Sequence, residues 1–338
     1  MSSNNKTLEI IVLGNRAVGK TSLLSSMYMQ MEALGVTDCN GMKFSPVNDE
    51  EYKILENKWI SLRQSIKDNE FTSAPVMPYE GTTEDVEHDF VLSTRNSKHT
   101  IRFVDTRGGD TESMSPDLIS RIKNSHLMLC VVDASILMQC DQNDNDKLNC
   151  PTKIKQILSN VLDDNDSKKP FSCMFILTKC EKYMFTPEDR NRMAARFEKI
   201  FSPVLLYAAQ KPFKLFYLPV QTMGCVEFSR IDPVTKEMKF KTINKEFQPV
   251  DVVFPLAYVL RICLEKFYNS HQNMTWLGKF WQKISLLRKG LPKEDFQIYY
   301  EALQSKVGKP VDFRSNLSGS IPRLESINFW TDSSWRTL

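Results

Sequence analysis

The sequence predicts an α/β fold in which a mostly parallel sheet carries helices on both faces. Two observations favour it. Short apolar runs rich in β-branched residues alternate with segments whose apolar residues recur at helical spacing, which is typical of parallel strands joined by crossover helices. The first run, 7–13, leads through a glycine-bounded loop into a helix. We expect three additions to this core: an inserted helix, an added β-hairpin and a C-terminal helical extension.

The first half of the chain contains the inserted helix. The stretch between Lys20 and Thr82 is too long for a plain loop. Within 48–68, apolar residues at spacings of three and four form one helical stripe; they are Tyr52, Leu55, Trp59, Leu62 and Ile66. The remaining elements predicted here are strands over 86–92 and 99–105 and a helix near Pro116–Asn124.

The second half continues the alternation. Apolar runs predict strands over 126–135, 171–179 and 214–220. Helices are predicted over 152–162, from the Thr186 cap to a stop or kink near Pro203, and over 252–268. Residues 225–243 predict the added hairpin. The segment 139–150 is interpreted as a polar loop, because its acids lack the turn glycine and the final glutamate of a calcium loop.

Composition excludes several classes of function. The 338 residues carry 44 basic and 41 acidic side chains, a net charge of +3, so no nucleic-acid partner is expected. The polar N-terminus shows no signal peptide, and no apolar run is long enough to cross a membrane. The eight cysteines form no CxxC pair. We therefore expect reduced thiols and a cytoplasmic location.

The strongest chemical signal is the segment GNRAVGKT, which matches GxxxxGK[ST] between a predicted strand and a predicted helix. Glycines let the backbone N–H groups turn towards phosphate oxygens, and the helix N-terminus favours negative charge. Lys20, expected at an open loop, can reach the β- and γ-phosphates, and the Thr21 hydroxyl can bind Mg²⁺. The candidate phosphate-binding residues are Gly14, Asn15, Arg16, Ala17, Val18, Gly19, Lys20, Thr21 and Ser22.

Two weaker motifs follow predicted strands. Asp105 ends the strand over 99–105 and begins DxxG, where an acid can hold Mg²⁺ and the N–H of Gly108 can meet the γ-phosphate. Thr178, Lys179 and Glu181 form TKxE at the end of the strand over 171–179. A carboxylate there can accept two N–H bonds from guanine, whereas adenine offers an unprotonated acceptor at the same place.

In this order the motifs resemble those of the Ras-like, TRAFAC-class phosphate-loop GTPases over roughly residues 7–268. The tract GTTEDVEHDFVL followed by RFVDTRGG is also similar to bacterial double-GTPase-type proteins. The resemblance implies a switch protein that binds GTP or GDP with Mg²⁺. It further implies that Thr82 or Thr83 binds Mg²⁺ and senses the γ-phosphate, that Lys179 lies along the guanine, and that Thr222 and Met223 offer N–H groups to the base oxygen. Spacing leaves Thr82 and Thr83 as alternatives.

Two departures from the family pattern shape the functional hypothesis. Gly109 stands where many Ras-like members have a water-orienting glutamine, and Glu181 replaces the usual aspartate. We therefore expect slow GTP hydrolysis, with Arg107 as a candidate to approach the γ-phosphate. The alternatives are a non-hydrolysing, nucleotide-loaded scaffold and a phosphate-loop ATPase or kinase.

The chain is expected to divide into a GTPase domain, 1–270, and a C-terminal helical extension and tail, 271–338. The switch loops or this extension would bind a partner protein. An apolar stripe with lysines and an arginine over 276–289 is interpreted as packing on the domain or on a partner, with a membrane surface as the less favoured alternative.

Overall fold

The strands of the described residues form two sheets. The computed structural model describes residues 7–39, 42–66, 70–72, 85–93, 98–107, 114–163, 172–210, 214–231, 238–243, 246–256, 258–259 and 324–326. Its strands are β1 (Thr7–Leu13), β2 (Asp38–Cys39), β3 (Met42–Pro46), β4 (Glu70–Thr72), β5 (Val86–Ser93), β6 (Lys98–Asp105), β7 (Leu127–Asp133), β8 (Ser172–Thr178), β9 (Lys214–Pro219), β10 (Val226–Ile231), β11 (Met238–Thr242) and β12 (Leu324–Ser326).

Helices connect several of these strands. They are α1 (Lys20–Ala33), α2 (Asp49–Ser65), α3 (Pro116–Asn124), α4 (Ala134–Gln139), α5 (Gln142–Leu148), α6 (Pro151–Asp163), α7 (Pro187–Ile200) and α8 (Ser202–Ala209). A single 3₁₀ turn covers Glu181–Tyr183, and residues 254–256 and 258–259 are helical where the closing helix was predicted. None of the described helices is both long and apolar enough to cross a bilayer.

One sheet of nine strands has the order β12-β9-β8-β7-β1-β6-β5-β3-β2. The six strands from β12 to β6 run parallel, whereas β5, β3 and β2 are each antiparallel to the preceding neighbour. Every residue of β7 and β8 is buried. Both faces of the sheet centre are therefore covered, which confirms the predicted mostly parallel α/β architecture.

The inserted helix is confirmed as α2. Asn48 caps it by accepting a hydrogen bond from the Glu51 N–H. Acidic residues fill its first turn, where their negative charge interacts favourably with the positive end of the helix dipole. Tyr52 packs edge-on against Tyr28 of α1, with ring centroids 6.2 Å apart. Trp59 packs in the same manner on Phe247, at 4.6 Å. The predicted apolar stripe therefore holds α2 against the body of the protein.

The added hairpin is confirmed as β10 and β11, which pair antiparallel. The strand β4, which was not predicted, pairs with β11 and completes a three-stranded sheet. Lys182, just after β8, donates from Nζ to the Phe228 carbonyl oxygen at 3.4 Å and lies over the Phe228 ring. The hairpin is thus fastened to the turn that carries Glu181.

The predicted polar loop over 139–150 is wrong, because this segment contains the end of α4 and the whole of α5. Asp133 accepts hydrogen bonds from the N–H groups of Ser135 and Ile136 and begins α4. Asp141 accepts from the Asp144 N–H and begins α5. Asp141, interpreted as a loop residue, and Asp133, predicted to lie in a strand, are therefore helix caps, which compensate for weak helix propensity in so short a segment.

The C-terminal part of the chain is described only at Leu324–Ser326, where β12 pairs with β9 at the sheet edge. This strand was not predicted. The helical extension and the stripe over 276–289 lie outside the described residues.

Candidate functional site

The segment 14–21, predicted to be a phosphate loop, lies between the buried end of β1 and the start of α1 and includes the first residues of that helix. Its first residue, Gly14, has φ +153°, and a Cβ there would lie 2.8 Å from the Val131 carbonyl oxygen. The loop therefore needs glycine where it passes β7. Arg16 and Ala17 are exposed at its tip, and Val18 is buried beneath it.

Lys20 folds back over this loop. Its Nζ donates to the carbonyl oxygens of Gly14, at 2.8 Å, and Asn15, at 3.2 Å. The side chain is buried, not open as expected, because these two carbonyls replace water around the ammonium group. The positive charge is held directly above the loop whose N–H groups would face phosphate. Ser22, in the first turn of α1, is half-buried.

Thr21 and Asp105 meet at the edge of the loop. β6 lies beside β1, with Val12 opposite Asp105. This register brings the Thr21 hydroxyl within 2.6 Å of Asp105 Oδ2, to which it donates. The sequence predicted both as Mg²⁺ ligands from motifs far apart in the chain, and the structure brings them together.

The environment of Asp105 suits a cation. Burial raises the pKa of its carboxyl, while the nearby Lys20 charge and the Thr21 hydrogen bond lower it. Lys20 Nζ is 3.9 Å from Oδ1, and Oδ1 accepts no hydrogen bond from the described residues. Mg²⁺ in phosphate sites takes one or two protein oxygens together with phosphate oxygens and water. Thr21 and Asp105 fit that donor set.

The TKxE turn contacts the same loop from the other side. The Thr178 hydroxyl donates to the Val18 carbonyl oxygen at 2.6 Å. Lys179 Nζ donates to the Ala17 carbonyl oxygen at 2.7 Å and lies 2.5 Å from Asp133 Oδ2. The end of β8 is therefore tied to the tip of the phosphate loop.

Asp133 is a site residue that the sequence analysis missed. Its carboxylate is buried, pairs with Lys179 and caps α4. Its N–H donates to the Asn149 side-chain oxygen at 2.9 Å. The sequence signal that could have identified Asp133 is an aspartate at the end of a strand and directly before a helix. It fixes the Lys179 ammonium group over the loop.

Glu181 and the 221–225 loop bind each other. Oε1 of Glu181 accepts hydrogen bonds from the N–H groups of Met223, at 3.3 Å, and Gly224, at 3.4 Å. Burial raises the pKa of this carboxyl, and these backbone hydrogen bonds oppose the rise. The neighbouring Thr222 carbonyl oxygen accepts from Ser26 of α1 at 3.1 Å. A guanine would have to exchange the Glu181 contact for its own, because both predicted base-reading groups are engaged with one another.

Of the other predicted residues, the structure describes Arg107. Arg107 is exposed, and its N–H donates to Asp85 Oδ1 at 3.0 Å. Thr82, Thr83 and Gly108 lie outside the described residues.

Gly224→Ala should destabilise the protein by about 2 kcal/mol or more. Its φ is +69°, and a Cβ there would lie 1.7 Å from the Gln248 carbonyl oxygen. Urea unfolding measures the loss. Gly35→Ala is the matched control, because Gly35 also has a positive φ, 60°. A loss no greater than that of the control would contradict the close approach of the 221–225 loop to Gln248.

No protein-family model and no curated protein matches the chain. What the site can do must follow from its residues. The arrangement offers a backbone loop for phosphate, two lysines directed at that loop, and a hydroxyl–carboxylate pair suited to a divalent cation.

Proposed function

We propose that this protein is a phosphate-loop GTPase that binds GTP with Mg²⁺, hydrolyses it slowly and acts as a conformational switch for a partner protein in the cytoplasm. One observation carries the proposal. Three motifs that are far apart in sequence converge on a single loop: Lys20 within the loop, Asp105 at its edge through Thr21, and Lys179 at its tip.

The phosphate end of the site supports triphosphate binding. The ammonium group of Lys20 would turn from the loop carbonyls towards the β- and γ-phosphates, exchanging neutral acceptors for charged ones. Bound Mg²⁺ would neutralise phosphate charge. Thr21 and Asp105 would hold the ion through a hydroxyl oxygen and a carboxylate, with their present hydrogen bond rearranged.

The base end supports guanine. In the bound protein, Glu181 would release the Met223 and Gly224 N–H groups and accept two N–H bonds from the base. The freed Met223 N–H would then donate to the base oxygen. Adenine lacks the matching donors, so the buried carboxylate would oppose it.

The switch proposal concerns the segments 70–84, of which 70–72 form β4, and 106–115, which would be ordered by the γ-phosphate and released after cleavage. Two of their described boundary residues touch, since Asp85 accepts a hydrogen bond from the Arg107 N–H. Thr82 or Thr83, between β4 and Asp85, would sense the γ-phosphate. A change at one loop would thus reach the other through this contact.

A second candidate function is favoured by Gly109, which has no side chain to orient water. In this case the protein would be a nucleotide-loaded scaffold that does not hydrolyse GTP. Single-turnover hydrolysis separates the two functions, because a scaffold would release no phosphate. A phosphate-loop ATPase or kinase is the remaining alternative, and Glu181 argues against it.

Intrinsic hydrolysis should be slow, on the order of 10⁻⁴ to 10⁻² per second. Arg107→Ala should lower this rate only if the guanidinium group moves to the γ-phosphate. Lys155→Ala, an exposed change on α6, is the control. Phosphate release under single-turnover conditions measures both effects. Rapid multiple turnover by the isolated protein, unaffected by loss of Arg107, would refute this account of the rate.

The nucleotide that co-purifies with the protein provides a direct test of the proposed ligand class. We expect GTP or GDP in the extract of denatured protein, separated by anion-exchange chromatography. Adenine nucleotides at the same occupancy would instead support the ATPase or kinase alternative.

A further inference from the structure

The inward face of α2 carries a lysine among packing residues. Glu51, Leu55, Lys58, Leu62 and Ile66 recur at spacings of four, three, four and four, so they share one side of the helix. Glu51 lies 2.5 Å from the His88 ring on β5, between Oε1 and Nδ1. The Leu55 carbonyl oxygen accepts a hydrogen bond from Ser25 of α1 at 2.6 Å.

The neighbours of Lys58 on this face locate it relative to the site. Ser25, which binds the turn before Lys58, lies one helical turn after Thr21. In the turns after Lys58, Leu62 and Ile66 pack with Met223 and other residues of the base-reading region. Lys58 therefore lies between two parts of α2. The part before it packs beside α1 near Thr21, a proposed Mg²⁺ ligand, and the part after it packs beside the 221–225 loop, which is proposed to read the base.

The ammonium group of Lys58 interacts electrostatically with Asp105. Burial lowers the pKa of its ammonium group, and the carboxylate of Asp105 opposes that shift. Lys20 is the other ammonium group near Asp105, at 3.9 Å. Two lysines from different helices thus act with their charge on the acid that is proposed to hold Mg²⁺. A triphosphate bound there would bring the negative charge that such a pair of cations favours.

We propose that Lys58 is a phosphate-contacting residue: its ammonium group binds the terminal phosphate of a bound nucleoside triphosphate. The inference rests on the proposed nucleotide-binding function and adds a second cation to it. Charge builds on the terminal phosphoryl oxygens during transfer, and a positioned cation stabilises it. The inserted helix would then supply, within the same chain, a cation for the charge that develops on the terminal phosphoryl group.

The test compares nucleotides that differ only in the terminal phosphate. Lys58→Met keeps the length of the stem and removes the charge, whereas Lys58→Arg keeps the charge. Lys53→Met is the matched control, because Lys53 is exposed on the same helix. For each protein, affinities for GDP and for a non-hydrolysable GTP analogue are measured with Mg²⁺, together with the single-turnover rate and the unfolding temperature without nucleotide.

We expect Lys58→Met to weaken the GTP analogue by about tenfold or more and GDP little, since one hydrogen bond to a charged group is lost. Its single-turnover rate should fall by at least about tenfold, and its unfolding temperature without nucleotide should not fall. Lys58→Arg should retain most of the binding, and Lys53→Met should match the unchanged protein.

Two results would overturn the role of Lys58 while leaving nucleotide binding in place. One is an unchanged preference of Lys58→Met for the GTP analogue over GDP. The other is an equal loss for both nucleotides together with a lower unfolding temperature, which would assign Lys58 to the packing of α2. Failure of the unchanged protein to bind either nucleotide would reject the proposed function itself, and this inference with it.

Discussion

Lys20→Ala is expected to abolish tight nucleotide binding. The ammonium group is held over the phosphate loop by the carbonyls of Gly14 and Asn15, so it is already close to where phosphates would lie. Each hydrogen bond to a charged group contributes about 1.5–3 kcal/mol, and ~1.4 kcal/mol is a factor of ten in affinity. Losing contacts to two phosphates should weaken binding by about 100-fold or more.

Titration with a fluorescent GTP analogue measures this effect. Lys155→Ala is the matched control, a lysine exposed on α6. Because Lys20 is buried, thermal unfolding without nucleotide must show that the variant still folds. A folded variant with unchanged affinity would refute the assignment of residues 14–21 as a phosphate loop.

Glu181→Ala should weaken guanine nucleotides far more than adenine nucleotides. Removal of a bidentate pair between a carboxylate and two base N–H groups should cost roughly 2–4 kcal/mol in GTP binding. ATP makes no such pair, so its affinity should change little. Competition between the fluorescent analogue and unlabelled GTP or ATP measures the ratio.

The observed contacts of Glu181 define the opposing result. Its carboxylate holds the N–H groups of Met223 and Gly224, so it has a structural role in the absence of nucleotide. If that were its whole role, the substitution would disturb the 221–225 loop for every nucleotide. Equal losses for GTP and ATP would therefore reject base reading by Glu181. Glu181→Gln, which keeps the shape and removes the charge, separates charge from packing.

Long apolar runs and complete motifs were predictable from the sequence. β7 and β8 are buried on both faces, so they appear as continuous apolar runs. The α2 stripe was visible because helical spacing was sustained over several turns. The proximity of Thr21 and Asp105 followed from the positions of their motifs. Thr21 comes after one strand and Asp105 ends another, and neighbouring parallel strands bring such ends to the same edge of the sheet.

Features that depend on tertiary contacts were not predictable. α4 and α5 are short, only α5 is polar throughout, and each begins at an aspartate that caps it, Asp133 and Asp141. β4 has only three residues and exists through pairing with β11. The engagement of Glu181 with Met223 depends on how the end of β8 meets a loop more than forty residues away. Hydrophobic periodicity carries no information about such pairings.

The central claim is that this protein binds Mg²⁺ and a guanine nucleotide at the phosphate loop. It is tested most directly by titrating the unchanged, nucleotide-free protein with a fluorescent GTP analogue, with and without Mg²⁺, and then displacing the analogue with GTP or ATP. We predict saturable binding that weakens when Mg²⁺ is chelated and is displaced far more readily by GTP than by ATP. No binding, or equal displacement by the two nucleotides, would contradict the claim.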